Sequence, residues 1–244
     1  MKRILFISNS FGEDATRYLY GIARAAKEDV KVVTLYIGGC SLYRHYRNML
    51  SEEKAYDFIL NGSRSGLSVS LKEALLSDEW DFVVLQQCSP MSGDEESYYP
   101  YVTELAEYVR KMAPGAKLFV HETWSFSADC SRFELTRFKT REEMIPAVKK
   151  AYKKAEKAIK ADGVIPSLDA MNKLYDEIGS KAYRDGFHCS LGVGRYMLGC
   201  VCFMSFFEKE PNWGVYRDLD VDVSESEISL AENIVKEMFD KCKK

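Results

Sequence analysis

The chain has 244 residues, of which 46% are hydrophobic and 29% are charged, and this composition excludes a disordered or fibrous protein. Its length fits a single domain that spans residues 1–244. The 34 basic and 37 acidic residues give a net charge of −3, which argues against nucleic acid or an anionic membrane as the partner and favours a small molecule.

The amino terminus lacks the pattern of a targeting segment. The apolar run at residues 4–7 is interrupted by Ser8 and Asn9, which makes it too short for a signal-peptide core or a membrane span. We therefore expect a cytoplasmic protein that does not enter a membrane. The seven cysteines include no C-x-x-C pair, so we expect free thiols and neither disulfides nor a metal site.

Five short apolar runs have the composition of buried strands, at residues 3–7, 31–37, 81–85, 116–120 and 163–165. The segments between and after them have helical patterning, at residues 14–28, 67–77, 97–112, 141–161, 168–178, 190–208 and 225–242. Ser224 and Glu227 have the spacing of a capping box at the start of the last helix. Strands that alternate with helices predict an α/β fold, in which a parallel sheet is covered by helices on both faces.

Ligands of such folds bind outside the carboxyl ends of the strands. Polar residues and glycines crowd the positions just after the predicted strands, at residues 8–12, 38–41, 86–92 and 121–124. The loop that contains Asp185 and His188 follows the last strand and its helix. We therefore expect the functional site at this edge of the sheet.

Ser10, after the first strand, allows three interpretations: a nucleophile, part of a phosphate cradle, or the cap of the next helix. A serine nucleophile needs a base that takes its proton, and the base needs a carboxylate that fixes its tautomer. Asp185 precedes His188 by three residues in the segment YRDGFHCS, and this pair has the residue types of that base and its carboxylate. Neither segment alone distinguishes a catalytic site from a surface turn or a helix cap.

Together, these segments resemble the SGNH, or GDSL-like, hydrolases over nearly the whole chain. The first block of that family, usually Gly-Asp-Ser, matches residues 8–10, and the glycine of the second block matches Gly39. The final Asp-x-x-His block matches Asp185 and His188 without change. The third block, usually Gly-x-Asn-Asp, is replaced by Leu-Gln-Gln-Cys at residues 85–88, and the combination looks most like a bacterial branch of these proteins.

The resemblance implies a flavodoxin-like three-layer sandwich with a five-stranded parallel sheet in the order 2-1-3-4-5. It also implies hydrolysis of an ester through an acyl-enzyme, with no metal or cofactor. In that reaction Ser10 attacks, His188 acts as the base and then as the acid, and Asp185 orients His188.

The resemblance further implies an oxyanion hole formed by the backbone N–H groups of Ser10 and Gly39 and by a side-chain amide. We predict Gln87 for the side-chain donor, because a glutamine amide donates a hydrogen bond as an asparagine amide does. Gln86 is the alternative, because only one of two consecutive strand residues faces a given side.

Four further side chains are candidates for contact with substrate: Gln86, His121, Trp124 and His45. Trp124, with the tyrosines at 98, 99 and 101, would provide a stacking surface for a sugar. His121 lacks an aspartate three residues upstream, which favours a role in orienting a loop or contacting substrate. His45 lies among tyrosines and arginines, where a structural role is the favoured interpretation.

The sequence therefore predicts a serine esterase or an acyl-transferring hydrolase that acts on a small or carbohydrate-borne ester with a short acyl group such as acetyl. One alternative is a flavodoxin-like module that binds phosphate or a nucleotide at the start of the first helix, which would leave Asp185 and His188 without a role. Another is a catalytically inactive relative that binds glycans, since the first and third blocks are altered. The sequence does not indicate an oligomeric state.

Overall fold

The computed structural model of the protein describes residues 1–240, and its central element is a seven-stranded mixed sheet in the order β4-β3-β2-β1-β5-β6-β7. The strands are β1 Lys2–Ser8, β2 Val30–Tyr36, β3 Tyr56–Leu60, β4 Ser63–Val69, β5 Phe82–Leu85, β6 Lys117–His121 and β7 Gly163–Ile165. Strands β2, β1, β5, β6 and β7 are parallel to one another, whereas β3 and β4 form an antiparallel hairpin at the β2 edge.

The prediction of an α/β fold with helices on both faces of the sheet is confirmed, but the prediction of five parallel strands in the order 2-1-3-4-5 is wrong for the sheet as a whole. That order describes only the five parallel strands, and the hairpin extends the sheet beyond them. The hairpin was missed because six of the seven residues of β4 are exposed and mostly polar, so β4 carries no buried apolar run. Its turn, Asn61-Gly62, has φ angles of 51° and 81°, as a two-residue hairpin turn of type I′ requires.

Helices cover both faces of the sheet. Their bounds are α1 Ser10–Thr16, α2 Leu19–Ala25, α3 Leu42–Ser51, α4 Leu71–Leu76, α5 Tyr101–Met112, α6 Arg141–Ile159, α7 Ser167–Ile178, α8 Val193–Phe207 and α9 Glu225–Asp240. One layer contains α1, α2, α7, α8 and α9, and the other contains α3, α4, α5 and α6. Helix α8 is buried along most of its length because it packs against the four other helices of its layer.

Several helix boundaries differ from the prediction. The helix predicted over 14–28 is two short helices, and the first starts at Ser10 because the Asn9 side chain accepts a hydrogen bond from the Phe11 amide. Helix α3 was not predicted, and the helix predicted from residue 67 starts only at Leu71, after β4. The capping box of α9 is confirmed by hydrogen bonds between Ser224 and Glu227 in both directions. The last two residues of that predicted helix lie outside the described residues.

The buried residues form one continuous hydrophobic core on both sides of the sheet. The six cysteines within residues 1–240 are free thiols in this core or at its margin, and Cys242 lies outside the described part of the chain. No helix within residues 1–240 is both long and apolar enough to cross a membrane.

Candidate active site

Ser10 lies at the turn between β1 and α1, where it is the first residue of the helix and is partly exposed. Asn9 caps the helix by accepting a hydrogen bond from the Phe11 amide over 3.0 Å. The preceding residue, Ser8, is buried against Gly12, where a Cβ atom would lie 2.3 Å from Ser8 Oγ. The absence of a side chain at Gly12 is therefore what makes room for a serine at position 8.

The structure brings Ser10, His188 and Asp185 together, although Ser10 and His188 are 178 residues apart in the chain. The Oγ atom of Ser10 lies 2.8 Å from His188 Nε2, and His188 Nδ1 lies 2.7 Å from Asp185 Oδ2. Because a carboxylate only accepts, Nδ1 carries the proton and Nε2 is free to accept the hydroxyl hydrogen of Ser10. This is the arrangement of a nucleophile, a base and an orienting carboxylate.

Asp185 is held by the loop that contains it. Its Oδ1 atom accepts hydrogen bonds from the backbone amides of His188, at 2.8 Å, and Phe187, at 3.2 Å. Partial burial raises the pKa of Asp185, but these amides and the His188 ring outweigh burial and leave the pKa below its usual value. The carboxylate therefore stays ionised at neutral pH, where it favours the Nδ1–H tautomer of His188.

Buried groups on α1 and after β6 hold the Asp185–His188 loop against α1. Trp124 donates a hydrogen bond from Nε1 to the Phe187 carbonyl over 2.8 Å, and its indole ring is stacked on Phe11 at 4.1 Å between ring centroids. Asp14, which follows Ser10 by one helical turn, is fully buried. It accepts hydrogen bonds from Arg184, over 2.9 and 3.0 Å, and from Arg195, over 2.8 Å.

Gly39 lies in the exposed turn between β2 and α3 with a φ angle of +61°, which glycine adopts without strain. The Cys40 amide donates to the Ile37 carbonyl over 3.2 Å, and this bond closes the turn. The Asn9 side chain donates from Nδ2 to the Cys40 carbonyl over 3.0 Å. The residue before Ser10 is therefore hydrogen-bonded directly to the residue after Gly39.

The two glutamines that follow β5 have different surroundings, and both are buried. Gln87 Nε2 donates to the Ser97 carbonyl and hydroxyl oxygens over 3.2 and 3.0 Å. Gln87 Oε1 accepts from the amides of Leu42 and Cys88, each over 2.9 Å. The prediction that Gln87 donates to an oxyanion is corrected, because its amide hydrogens already bond to Ser97.

Gln86, the alternative, donates from Nε2 to Asn9 Oδ1 over 2.7 Å and lies next to His121, whose Nδ1 atom is 2.8 Å from Gln86 Oε1. Its amide is therefore occupied as well. Through its hydrogen bond to Asn9, Gln86 supports the turn before Ser10.

The predicted substrate contacts by His121, Trp124 and His45 are also corrected, because these side chains are buried. His121, Trp124 and His45 are each 0% exposed, so none of them presents a surface to a substrate in this structure. His45 Nδ1 lies 2.9 Å from the Tyr56 hydroxyl, and its ring is stacked on Tyr56, which agrees with a structural role. Of the tyrosines considered for sugar stacking, Tyr98 is also buried.

Sequence reasoning missed Asp14, Arg184 and Asn9 as supports of this site. Asp14 and Arg184 are 170 residues apart, and no local pattern indicates that they meet. A partial signal was present, because Arg184 precedes Asp185 directly and Asp14 follows Ser10 by one helical turn. Among residues 1–240, no group of three or more histidine, cysteine, aspartate or glutamate side chains converges as a metal site would require.

Residues 3–236 match the family described as a domain of unknown function, DUF4886. A search of curated proteins finds no match. A crystal structure of a DUF4886 family protein from Bacteroides uniformis has 27% identity and a TM-score of 0.90, and the match covers 100% of this chain and 96% of that one.

Two more distant structures share the fold. A candidate SGNH hydrolase from Slackia heliotrinireducens has 22% identity and a TM-score of 0.59, over 84% of this chain and 98% of its own. The psychrotrophic esterase EstA from Pseudoalteromonas has 11% identity and a TM-score of 0.56, over 85% of this chain and 98% of its own. The chain therefore belongs to the DUF4886 family, and its fold is that of SGNH hydrolases.

Proposed function

We propose that the protein is a serine hydrolase that cleaves carboxylic esters through an acyl-enzyme. The observation that carries this proposal is the hydrogen-bonded series Ser10 Oγ, His188 Nε2, His188 Nδ1 and Asp185 Oδ2, with lengths of 2.8 and 2.7 Å. The His188 side chain is 17% exposed, so the series opens to solvent at the carboxyl edge of the sheet.

In the first step, Ser10 Oγ attacks the carbonyl carbon of the ester while His188 Nε2 takes the hydroxyl proton. Asp185 stabilises the imidazolium that forms. The tetrahedral intermediate collapses, the alcohol leaves with the proton from His188, and the acyl group remains on Ser10. Water, activated by His188, then hydrolyses the acyl-enzyme and releases the carboxylic acid.

The backbone amides of Ser10 and Gly39 are the oxyanion donors in this proposal. The Ser10 N–H is the first of α1, so it has no partner within the helix and lies at the positive end of the helix dipole. The Gly39 N–H lies in the exposed turn after β2, which the hydrogen bond from Asn9 to Cys40 joins to the turn before Ser10. One such donor is worth about 3–4 kcal/mol of transition-state stabilisation.

The substrate class that we propose is a small or carbohydrate-borne ester with a short acyl group, such as acetyl. No metal or cofactor has a part in the proposed reaction. EstA, which shares the fold, is described as inhibited by monoethylphosphonate. Phosphonates bonded to a serine mimic the tetrahedral intermediate, so a fluorophosphonate is a suitable probe for Ser10 that does not depend on the natural ester.

Hydrolysis of short-chain p-nitrophenyl esters tests the proposal. Ser10→Ala and His188→Ala should each abolish turnover, because they remove the nucleophile and its base. Ser8→Ala is the matched control, since it removes a buried hydroxyl without a hydrogen-bond partner among the described residues, two positions from Ser10. Undiminished hydrolysis by the Ser10 and His188 variants would rule out the proposal.

A further inference from the structure

A line of buried polar groups crosses the carboxyl ends of all five parallel strands. It begins at Ser167 after β7 and continues through His121 at the end of β6, Gln86 after β5 and Asn9 after β1, to the carbonyl of Cys40 after β2. From Ser167 to Cys40, the successive donor–acceptor distances are 2.9, 2.8, 2.7 and 3.0 Å. We call these five residues the transverse chain.

Two backbone groups fix the direction of the hydrogen bonds between Cys40 and His121. The Cys40 carbonyl can only accept and the Phe11 amide can only donate, so Asn9 must present Nδ2 to Cys40 and Oδ1 to Phe11. Because Asn9 Oδ1 accepts, Gln86 must donate to it from Nε2.

The orientation of the Gln86 amide then determines which ring nitrogen of His121 carries the proton. Gln86 presents Oε1 to His121, so His121 must carry its proton on Nδ1. Complete burial lowers the pKa of His121 to about 3, so the ring is neutral and its Nε2 accepts from Ser167.

At the Asn9–Cys40 end, the transverse chain joins the two backbone segments that hold the proposed oxyanion donors. Asn9 precedes Ser10, and Cys40 follows Gly39, so the 3.0 Å bond from Asn9 to Cys40 joins the two segments. We infer that Asn9 is a positioning residue that sets the separation of the Ser10 and Gly39 amides, with Gln86 and His121 holding its orientation. This inference rests on the proposed function.

A purely structural role would be to satisfy buried polar groups, and its loss would lower stability alone. The positioning role differs, because it predicts a change in the reactivity of Ser10 in protein that remains folded. The isosteric variant Asn9→Asp separates the two roles. Aspartate is the usual residue at this position of the block that residues 8–10 resemble, but in this chain the side chain at position 9 must donate to a carbonyl. An ionised carboxylate would face the Cys40 carbonyl as a second acceptor, whereas its protonated form could donate to Cys40 as the amide does.

The experiment measures the rate constant for fluorophosphonate labelling of Ser10 in the wild type and in Asn9→Asp, from pH 5 to pH 8. At pH 8 we expect labelling of folded Asn9→Asp to be slower by about 10- to 100-fold, the effect of a small displacement at a reacting centre. The ratio of variant to wild-type rates should rise as the pH falls and the carboxyl becomes protonated. Asn48→Asp, a matched change at a buried asparagine on α3, should keep a ratio near one at every pH.

A ratio for Asn9→Asp that is near one, or low but independent of pH, would overturn the positioning role while Ser10 labelling of the wild type still supports the hydrolase. Absence of wild-type labelling would instead overturn the proposed function together with this role. Long-range ¹H–¹⁵N NMR of the wild type provides a test that does not need the variant to fold. It should show His121 as the Nδ1–H tautomer throughout this pH range, and the Nε2–H tautomer would overturn the transverse chain.

Discussion

Replacing Asp14 by alanine should both destabilise the fold and slow the reaction of Ser10. Asp14 is fully buried and accepts hydrogen bonds from Arg184 and Arg195, whose side chains are 28% and 13% exposed. Removing the carboxylate leaves two guanidinium groups without their shared partner. Breaking a buried ion pair from one side typically costs about 3–5 kcal/mol.

The lower end of that range is expected, because both arginines keep another partner. Arg184 still donates to the Cys189 carbonyl over 2.7 Å, and Arg195 still contacts Asp220 at 2.6 Å. We therefore predict that Asp14→Ala lowers the free energy of unfolding by about 3 kcal/mol. Since Arg184 immediately precedes Asp185, labelling of Ser10 by a fluorophosphonate should also slow in the folded fraction.

Urea unfolding followed by circular dichroism gives the stability, and labelling below the unfolding transition gives the reactivity. Glu13→Ala is the matched control, because it removes the neighbouring carboxylate of α1, whose ion pair with Arg64 is more exposed. That change should cost no more than about 1 kcal/mol. Equal losses of stability for Asp14→Ala and Glu13→Ala would contradict a buried ion pair at Asp14, and full reactivity of Asp14→Ala would contradict its support of the Asp185 loop.

Two other changes test the supports of the site, and a third tests the buried carboxyl of Glu122, which follows β6 and contacts Lys149. Gly12→Ala should lower the free energy of unfolding by about 1–3 kcal/mol, because its Cβ would lie 2.3 Å from Ser8 Oγ. In a double-mutant cycle, adding Ser8→Gly should recover part of this stability, and additive losses would contradict the contact. Trp124→Phe should cost about 1–3 kcal/mol in urea unfolding and slow Ser10 labelling, because it leaves the Phe187 carbonyl without its donor; wild-type values for both would contradict this. Burial raises the pKa of Glu122 to about 7, above its value in the unfolded chain. The protonated side chain therefore contributes stability that is fully present below about pH 4 and is lost as the pH rises to about 7. Urea unfolding of Glu122→Gln should therefore show a gain of up to about 3 kcal/mol over the wild type at pH 8 and little gain below about pH 4, and an equal effect at both pH values would contradict the assignment.

The parallel part of the fold could be predicted because its strands are buried on both faces. Each of β1, β2, β5 and β6 carries a nearly continuous apolar run, which is what burial between two helical layers requires. Strand β4 of the hairpin has no such run, since it is polar and exposed. The local signals of the hairpin are the short apolar segment at residues 58–60 and the Asn61-Gly62 turn that follows it. Helix α3 was missed although Ser41 caps it through the Arg44 amide.

The residues of the proposed triad could be predicted because two local blocks carry them, one after β1 and one before α8. Their supports could not, because they act through contacts between distant segments. The correction of Gln87 shows this limit, since the sequence identifies an amide of suitable chemistry but not the Ser97 oxygens that occupy its hydrogens. Trp124 and His121 have the chemistry of ligand contacts, yet packing buries both of them beneath the site.

Mass-spectrometric mapping of the fluorophosphonate adduct is the most direct test of the central claim. Intact, folded protein is incubated with the probe and digested, and the modified residue is identified by peptide fragmentation. We predict a single adduct on Ser10, absent in Ser10→Ala, retained in Ser8→Ala and strongly reduced in His188→Ala. An adduct on another residue, or folded wild-type protein that forms no adduct, would contradict the assignment of Ser10 as the nucleophile.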